Sequence, residues 1–547
     1  MELYGEVSLS GYSRQWVLEK RGGRTLAAKG GGFTSRWGLL MAALGAAIGT
    51  GNIWRFPKEV ANNGGGSFMI PYVIFLFTWS IPILLIEFNI GKKSRKGTMG
   101  TFAMFLGKHK AWMGAWLAWI STAIGFYYAV VMGWTIRYAF GSFTGSVSFT
   151  DAQGSWESFL ESPLLVVFFQ VLAIAISAVV VYRGIAKGVE KVNKILIPTL
   201  FVLLTLTMIR ALFLPGALKG VAYIFTPQAD TLWSGKTWIS ALAQSAWSCS
   251  AGMGMAITYG AYTRRKDDTT LNTFLAGLGD TTVALIAGIM IFATVFGLSA
   301  TMGEAEAAVE QGGSGLTFIH LPNLFGSMPG GQLVAILFFS AMAFAALTSM
   351  IATYENAVKN FVDAGWDRKK AIRTLTIGMM ILGLPSALIV LPVSGTPMPV
   401  FLDNQDFVWG LGLILSGAFL YYLVFKYGVT RFRERIINSK YADMKIGKWF
   451  DHLFNFVIPI ELAIMGGWFV FQTLTDPIDE WWMGGIVGFL IMLAQWGVAI
   501  AGLIYLNNKV KDKLVDHSVD PDSSIDDDIL TEDAEIVNAQ VIDETSV

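Results

Sequence analysis

Gly45 to Pro57 reads GAAIGTGNIWRFP, inside an apolar run that begins near Ser35. Gly45, Gly49, Gly51, Thr50, Asn52 and Arg55 sit badly in a membrane helix. In hydrocarbon every unpaired backbone polar group costs several kcal/mol, and a charged side chain there is expensive and marks function by default. The stretch is therefore either no span at all or a span broken in order to bind. Unwinding frees carbonyls that a cation satisfies and N–H groups that an anionic group satisfies. Glycine also serves ordinary packing between membrane helices, so one such segment alone leaves plain packing open.

The surrounding chain decides that it is a span. Of 547 residues, 54% are hydrophobic and only 15% charged, less charge than a soluble chain of this length carries. Apolar runs of about 20 residues, enough to cross a bilayer, recur at 36–61, 66–91, 111–140, 163–182, 189–213, 236–262, 272–299, 332–361, 371–391, 402–426, 453–473 and 483–506. The expected fold is all-α and polytopic, with about twelve transmembrane helices. Lys and Arg gather between spans 2 and 3, 4 and 5, 6 and 7, 8 and 9, and 10 and 11. By the positive-inside rule this places both termini in the cytoplasm of a multi-pass cell-membrane protein. Trp481 and Trp482 read as an interfacial belt on the outer side. No cleavable leader is read in residues 1–35, a cytoplasmic segment. Residues 508–547 read as an acidic, disordered cytoplasmic tail. The expected partners are membrane lipid and a small-molecule substrate, with no nucleic acid. The polar connection 300–331 is either a lid over the outer mouth or a solvated loop.

A second interrupted span runs from Ser245 to Tyr262, SAWSCSAGMGMAITYGAY. It matches the first if the chain is built of two five-span halves, 36–213 and 214–426, followed by 427–507 with spans 11 and 12. Paired, glycine-interrupted spans in two halves point to a transporter with its site near mid-membrane. In span 5, Gly188 and Pro198 lie ten apart. Proline removes a helical hydrogen bond, so this end reads as a hinge able to unwind, or as a static kink. The lone Cys249 allows no disulfide within the chain. With four scattered histidines it assembles no nucleophile, acid–base pair or metal cluster, so the chain is not read as an enzyme. An ion channel and a non-transporting regulatory or sensor protein remain the rival readings.

Several ordered motifs resemble the neurotransmitter:sodium symporter family, in particular its bacterial and archaeal amino-acid-transporting branch. They are GAAIGTGNIWRFP–NNGGGSFMIPY, the paired tyrosines of span 3, span 6, FAALTSMIATYE in span 8 and FLDNQDF in span 10. The resemblance implies two inverted five-helix repeats, alternating access, and sodium-coupled symport of amino acids. It implies a first sodium held by the Ala47 carbonyl and by Asn52, Ser248 and Asp280. A second would be held by carbonyls of Gly45, Ile48 and Ala345 and hydroxyls of Thr348 and Ser349. The substrate carboxylate would meet Thr50, Gly51 and Tyr128, and the amine the carbonyls of Ala47, Trp247 and Ser248. Monoamine carriers of the family have aspartate at Gly49; glycine there implies a substrate that brings its own carboxylate. Ile124, Trp247, Ser250, Met253, Ser349 and Thr353 would line the side-chain pocket. Met253, adaptable and flanked by glycines, suits a large hydrophobic or aromatic side chain.

The resemblance also assigns gates. Arg55 and Asp406, with Tyr128 and Trp247, would close the outside. Asp363 would serve the inside, with Lys29 substituting for the family's usual basic partner. Chloride, recruited by many relatives at positions matching Tyr72, Gln244 and Ser248, is not expected to be required. The fixed acid that some bacterial members carry falls here on Ala284, but Asp280 supplies a charge nearby. Glu87, Glu355 and Glu461 receive no substrate role.

Overall fold

The computed structural model describes residues 32–311, 313–393, 396–475, 485–514, 520 and 522–528. Ten helices among them are long and apolar enough to cross a membrane: Gly66–Ser94 (span 2), Lys108–Thr144 (span 3), Pro163–Tyr182 (span 4), Ile185–Leu212 (span 5), Thr270–Leu298 (span 7), Gly331–Asp363 (span 8), Arg368–Leu388 (span 9), Val400–Tyr427 (span 10), Trp449–Phe471 (span 11) and Gly485–Leu514 (span 12). Span 1 is a bent pair, Arg36–Ala47 and Thr50–Asn62, turned through 63° at the break. Span 6 is interrupted within the expected 236–262, as its glycines imply. It is two half-helices, Gly235–Ser248 and Met255–Tyr262, neither long enough to cross alone. A hairpin of Leu391–Val393 and Thr396–Met398 joins spans 9 and 10.

Spans 1, 2, 3, 6, 7 and 8 pack at the centre, while span 12 is largely exposed along its length. The connection between spans 7 and 8 is not a solvated loop. It folds into short helices from Met302 to Ser327 and packs against the second half of span 1. Its Phe318 is fully buried among Trp134, Trp156, Tyr138 and Phe339, with Trp54 of span 1 at its edge. The aromatic plug supplies the apolar burial that a polar-looking sequence conceals.

The C-terminal region also departs from expectation. Span 12 continues past 507 to Leu514, and residues 522–528 lie against the body. Ile525 is buried there. Lys93, fully buried, donates to Ser523 Oγ at 2.6 Å and to Asp528 Oδ2 at 2.7 Å. Arg265 reaches Asp528 at 3.1 Å, and Arg431 reaches Asp522 at 2.8 Å. Basic loops after spans 2, 6 and 10 therefore share one face with the C-terminal segment, called here the terminal face. Lys29, Trp481, Trp482 and the tail beyond 528 lie outside the described residues.

Removing one partner of a buried ion pair is far costlier than removing both. Asp528→Ala should lower the thermal midpoint in detergent by an amount equivalent to roughly 3 kcal/mol. Adding Lys93→Met should recover most of it, as followed by thermal unfolding of the two variants.

Candidate functional site

The break in span 1 follows from where its N–H groups go. In a continued helix the Gly49 N–H would bond the Gly45 carbonyl; instead it donates to Asn52 Oδ1 at 2.9 Å. The Thr50 N–H, due to Ala46, donates to Tyr128 Oη at 3.0 Å. The Ala46 carbonyl accepts from Ser250 Oγ at 3.0 Å instead. The helix ends at Ala47, and Ile48 is extended (φ −71°, ψ 107°). The carbonyls of this last turn thus lose helical partners.

Span 6 breaks by a different device. Ser250, Gly252 and Gly254 have φ of 56°, 92° and 75°, a left-handed backbone that glycine tolerates best. A Cβ on Gly254 would also meet Thr98 Cγ2 at 2.4 Å. The fully buried Glu87 of span 2 reaches into the break, where its Oε1 accepts the Gly252 N–H at 2.7 Å and the Gly254 N–H at 3.4 Å. Asn356 donates to the Met253 carbonyl at 3.0 Å.

The two breaks face one cavity. It is partly open, has room of about 40 Å³, and is lined by Ala47, Gly49, Gly51, Asn52, Ile124, Tyr128, Trp247, Ser248, Ser250, Met253, Ser349 and Thr353. Thr50, expected there, is buried with its N–H turned to Tyr128 and does not line the wall. Ser250 lines it, but its hydroxyl is committed to Ala46.

At one side of this cavity Asp280 of span 7 is fully buried. Its Oδ1 accepts from Asn52 Nδ2 at 2.6 Å, and its Oδ2 from Ser248 Oγ at 2.7 Å. No basic side chain pairs with it among the described residues. A buried carboxylate beside the Ser248 hydroxyl, with the Asn52 amide oxygen brought to it by a turn of that side chain, is the donor set that a hard cation fits. Tyr72, whose hydroxyl faces Ser248 and Thr281, lies beside this group. The buried amide of Gln244 has no partner among the described residues.

On the other flank of the span 1 break, Thr348 is fully buried and donates to the Ala345 carbonyl at 3.0 Å. Its Cβ lies 3.1 Å from where a Cβ on Gly45 would stand, and Ser349 Oγ 3.5 Å from the matching point on Gly49. Gly45, Ala345, Thr348 and Ser349 therefore come together at the broken turn, with Ile48 in the break itself.

Above the cavity, away from the terminal face, Arg55 Nη1 stands 3.5 Å from Asp406 Oδ2 and stacks over the Trp247 ring at 4.8 Å. Tyr127, not singled out from sequence, donates to Asp406 Oδ1 at 2.9 Å. On the terminal face, Asp363 pairs with Lys359 Nζ at 2.6 Å and accepts the Gly97 N–H at 2.5 Å. Glu355, given no role from sequence, accepts from both Arg368 terminal nitrogens, at 2.8 and 2.6 Å, and from Tyr262 Oη at 2.8 Å. Phe33 is buried against Tyr259 and donates its N–H to the Tyr262 carbonyl. Glu461, also given no role, accepts from Thr78. Gly188 lies in a wide turn, Ile185–Glu190, and Pro198 inside the helix that follows.

The sequence matches the model of the sodium:neurotransmitter symporter family over residues 31–162 and 165–509. An uncharacterized sodium-dependent transporter of Methanocaldococcus jannaschii is 32% identical over 88% of this chain and 97% of its own. The sodium- and chloride-dependent GABA transporter 2 of Bos taurus is 27% identical over 74% of each chain. The crystal structure of MhsT in complex with L-phenylalanine superposes with a TM-score of 0.70 at 32% identity, covering 80% of this chain and 99% of that one. The chain belongs to the sodium:neurotransmitter symporter family, a family of multi-span membrane transporters rather than enzymes.

Glu87 offers a test of how the span 6 break is held. Orphaning a buried donor costs about 1–3 kcal/mol. Glu87→Ala orphans the Gly252 and Gly254 N–H groups and should depress the thermal midpoint strongly. Glu87→Gln keeps an acceptor oxygen and should lose less than half as much, measured side by side in detergent.

Proposed function

We propose that the protein is a sodium-coupled symporter of hydrophobic or aromatic L-amino acids, working by alternating access between two inverted five-span repeats. The carrying observation is the shared cavity of the two helix breaks, with the buried Asp280 carboxylate bonded to Asn52 and Ser248 of its wall and paired with no basic side chain among the described residues. The substrate carboxylate meets the Gly51 N–H and the Tyr128 hydroxyl, which the Thr50 N–H holds in place, and the amine meets carbonyls of Ala47, Trp247 and Ser248. Ile124, Met253 and Thr353 receive the side chain. Support for a large one comes from the neighbouring MhsT structure, whose bound molecule is L-phenylalanine.

Two sodium ions travel with the substrate. Ala47, Asn52, Ser248 and Asp280 hold the first, for which the Asn52 amide turns over to present its oxygen in place of its nitrogen. Gly45, Ile48, Ala345, Thr348 and Ser349 hold the second. Arg55 and Asp406 form the outer gate, Asp363 belongs to the inner one, and Gly188–Pro198 is the hinge through which water enters from the cytoplasm. The terminal face is cytoplasmic, and the protein lies in the cell membrane.

Replacing sodium by choline should abolish concentrative uptake of labelled L-phenylalanine into proteoliposomes, and leucine or tryptophan should compete better than glycine. Sodium-independent uptake, or glycine as the better competitor, would sink the reading.

Chloride is not required in this scheme. The anion that offsets two cations is Asp280 itself, at low local dielectric where such attraction is strong. Neutralising it leaves Tyr72, Gln244 and Ser248 as neutral donors able to take an anion. Uptake by the wild type should be equal in gluconate and chloride buffers. Asp280→Asn should either stop transport or make it depend on chloride.

A further inference from the structure

The first half of span 1 is pressed against span 5 at two glycines seven residues apart. A Cβ on Gly38 would meet Glu190 Oε1 at 2.1 Å, and one on Gly45 would meet Asn193 Oδ1 at 2.0 Å. Only glycine admits these two side chains so close to the helix axis. Their partners differ sharply. Glu190 is saturated. It accepts from the Thr34 N–H at 2.7 Å, Thr34 Oγ1 at 2.6 Å, Ser35 Oγ at 3.0 Å and Lys194 Nζ at 2.5 Å. Asn193 is fully buried, and its Nδ2 donates to the Val189 carbonyl at 2.8 Å. Its Oδ1 has no partner among the described residues.

A buried acceptor left without a donor costs stability. Here it points at the Gly45 turn and lies side by side with Thr348, whose Cβ approaches the same point at 3.1 Å. We propose that Asn193 is a sodium relay: its side-chain oxygen takes the second sodium as the ion leaves Gly45 and Thr348 for the terminal face. This rests on the second-sodium reading above.

The anchor of the amide fits the role. Val189 belongs to the wide turn Ile185–Glu190. Loosening that turn, which also carries Gly188, releases the carbonyl that holds Asn193 Nδ2. The amide is then free to swing with the ion. Hinge movement and ion departure are thereby tied to one side chain. An oxygen that a sodium ion touches only in passing lowers the barrier to its exit, and a carboxylate in the same place would trap the ion.

The test uses the full-length protein in detergent, with radiolabelled sodium as the probe. Asn193→Leu keeps the volume and removes the orphan oxygen. A purely structural asparagine predicts unchanged or raised thermal stability and an unchanged sodium dissociation rate. The relay predicts that dissociation slows about tenfold, a barrier increase of about 1.4 kcal/mol. Asn193→Asp should lower the sodium concentration for half-saturation about tenfold and serves should the leucine variant fold poorly. Dissociation rates and half-saturation both within twofold of wild type would overturn the relay. Thr348→Ala separates the two claims. If it removes one bound sodium while the Asn193 variants change nothing, only the relay fails. If it leaves sodium stoichiometry intact, the second-sodium reading fails and takes the relay with it.

Discussion

A broken helix inside a membrane survives only if every backbone group freed by the break finds a partner within the protein. That constraint organises the centre of this molecule. In span 1 the freed N–H groups are taken by Asn52 and Tyr128 and one freed carbonyl by Ser250. In span 6 they are taken by Glu87 and Asn356. Those side chains come from spans 1, 2, 3, 6 and 8, so the two breaks fix the mutual placement of five helices. Partners of this kind are mostly oxygens, and oxygens that hold a backbone in place are also what a hard cation seeks.

Asp280 draws the same elements tighter. One carboxylate joins Asn52 of span 1 and Ser248 of span 6 to span 7. A buried charge of this sort is unstable without a positive partner, and the nearest available positive ends are those of an amide and hydroxyls. The energetic demand for a cation is therefore built into the packing before any ligand arrives. It is strongest where the two broken spans meet, which is where the proposed ion and substrate sites adjoin.

Much of this was legible in the sequence. Span 4 reads from sequence as 163–182 and folds over those residues, because length and apolarity alone define a span. The break in span 1 is visible because glycine, asparagine and arginine contradict their surroundings. Glu87 gave half a signal: an acid in a membrane helix announces a function, but its partners, two N–H groups of a distant turn, exist only once span 6 has unwound. Glu190 and Asn193 gave none, since a glutamate and an asparagine near a helix end look solvated until Gly38 and Gly45 bring span 1 against them. Tyr127 was hidden by its neighbour: two adjacent tyrosines point to different sides of a helix, one to the Thr50 N–H and one to Asp406. The segment at 522–528 reads as disordered because its acids outnumber its apolar residues. Its order comes from Lys93, Arg265 and Arg431 on the body, which no local pattern can foresee.

The two faces of the molecule are held by contacts of unequal strength, and that inequality bears on how the transport cycle runs. Away from the terminal face, the Arg55–Asp406 contact is 3.5 Å long and both side chains are partly open to solvent. Such a pair is weak, because water competes for each charge. On the terminal face the corresponding acids are buried and multiply bonded: Glu190 on the start of span 1, Glu355 with Arg368 and Tyr262, and Asp363 with Lys359 and Gly97. Breaking one of these strands a desolvated charge. The side away from the termini can thus yield to thermal motion, while the terminal side yields only when several contacts are exchanged together. Span 1 is central to that exchange, since its first half is both the element capped by Glu190 and the element whose last turn carries the carbonyls assigned to the proposed second cation. An ion bound there, as proposed, would tie that turn to span 8 through Thr348. In the proposed scheme its departure removes the tie as the span 5 turn beneath it loosens, which would couple opening of the terminal side to release of the ion.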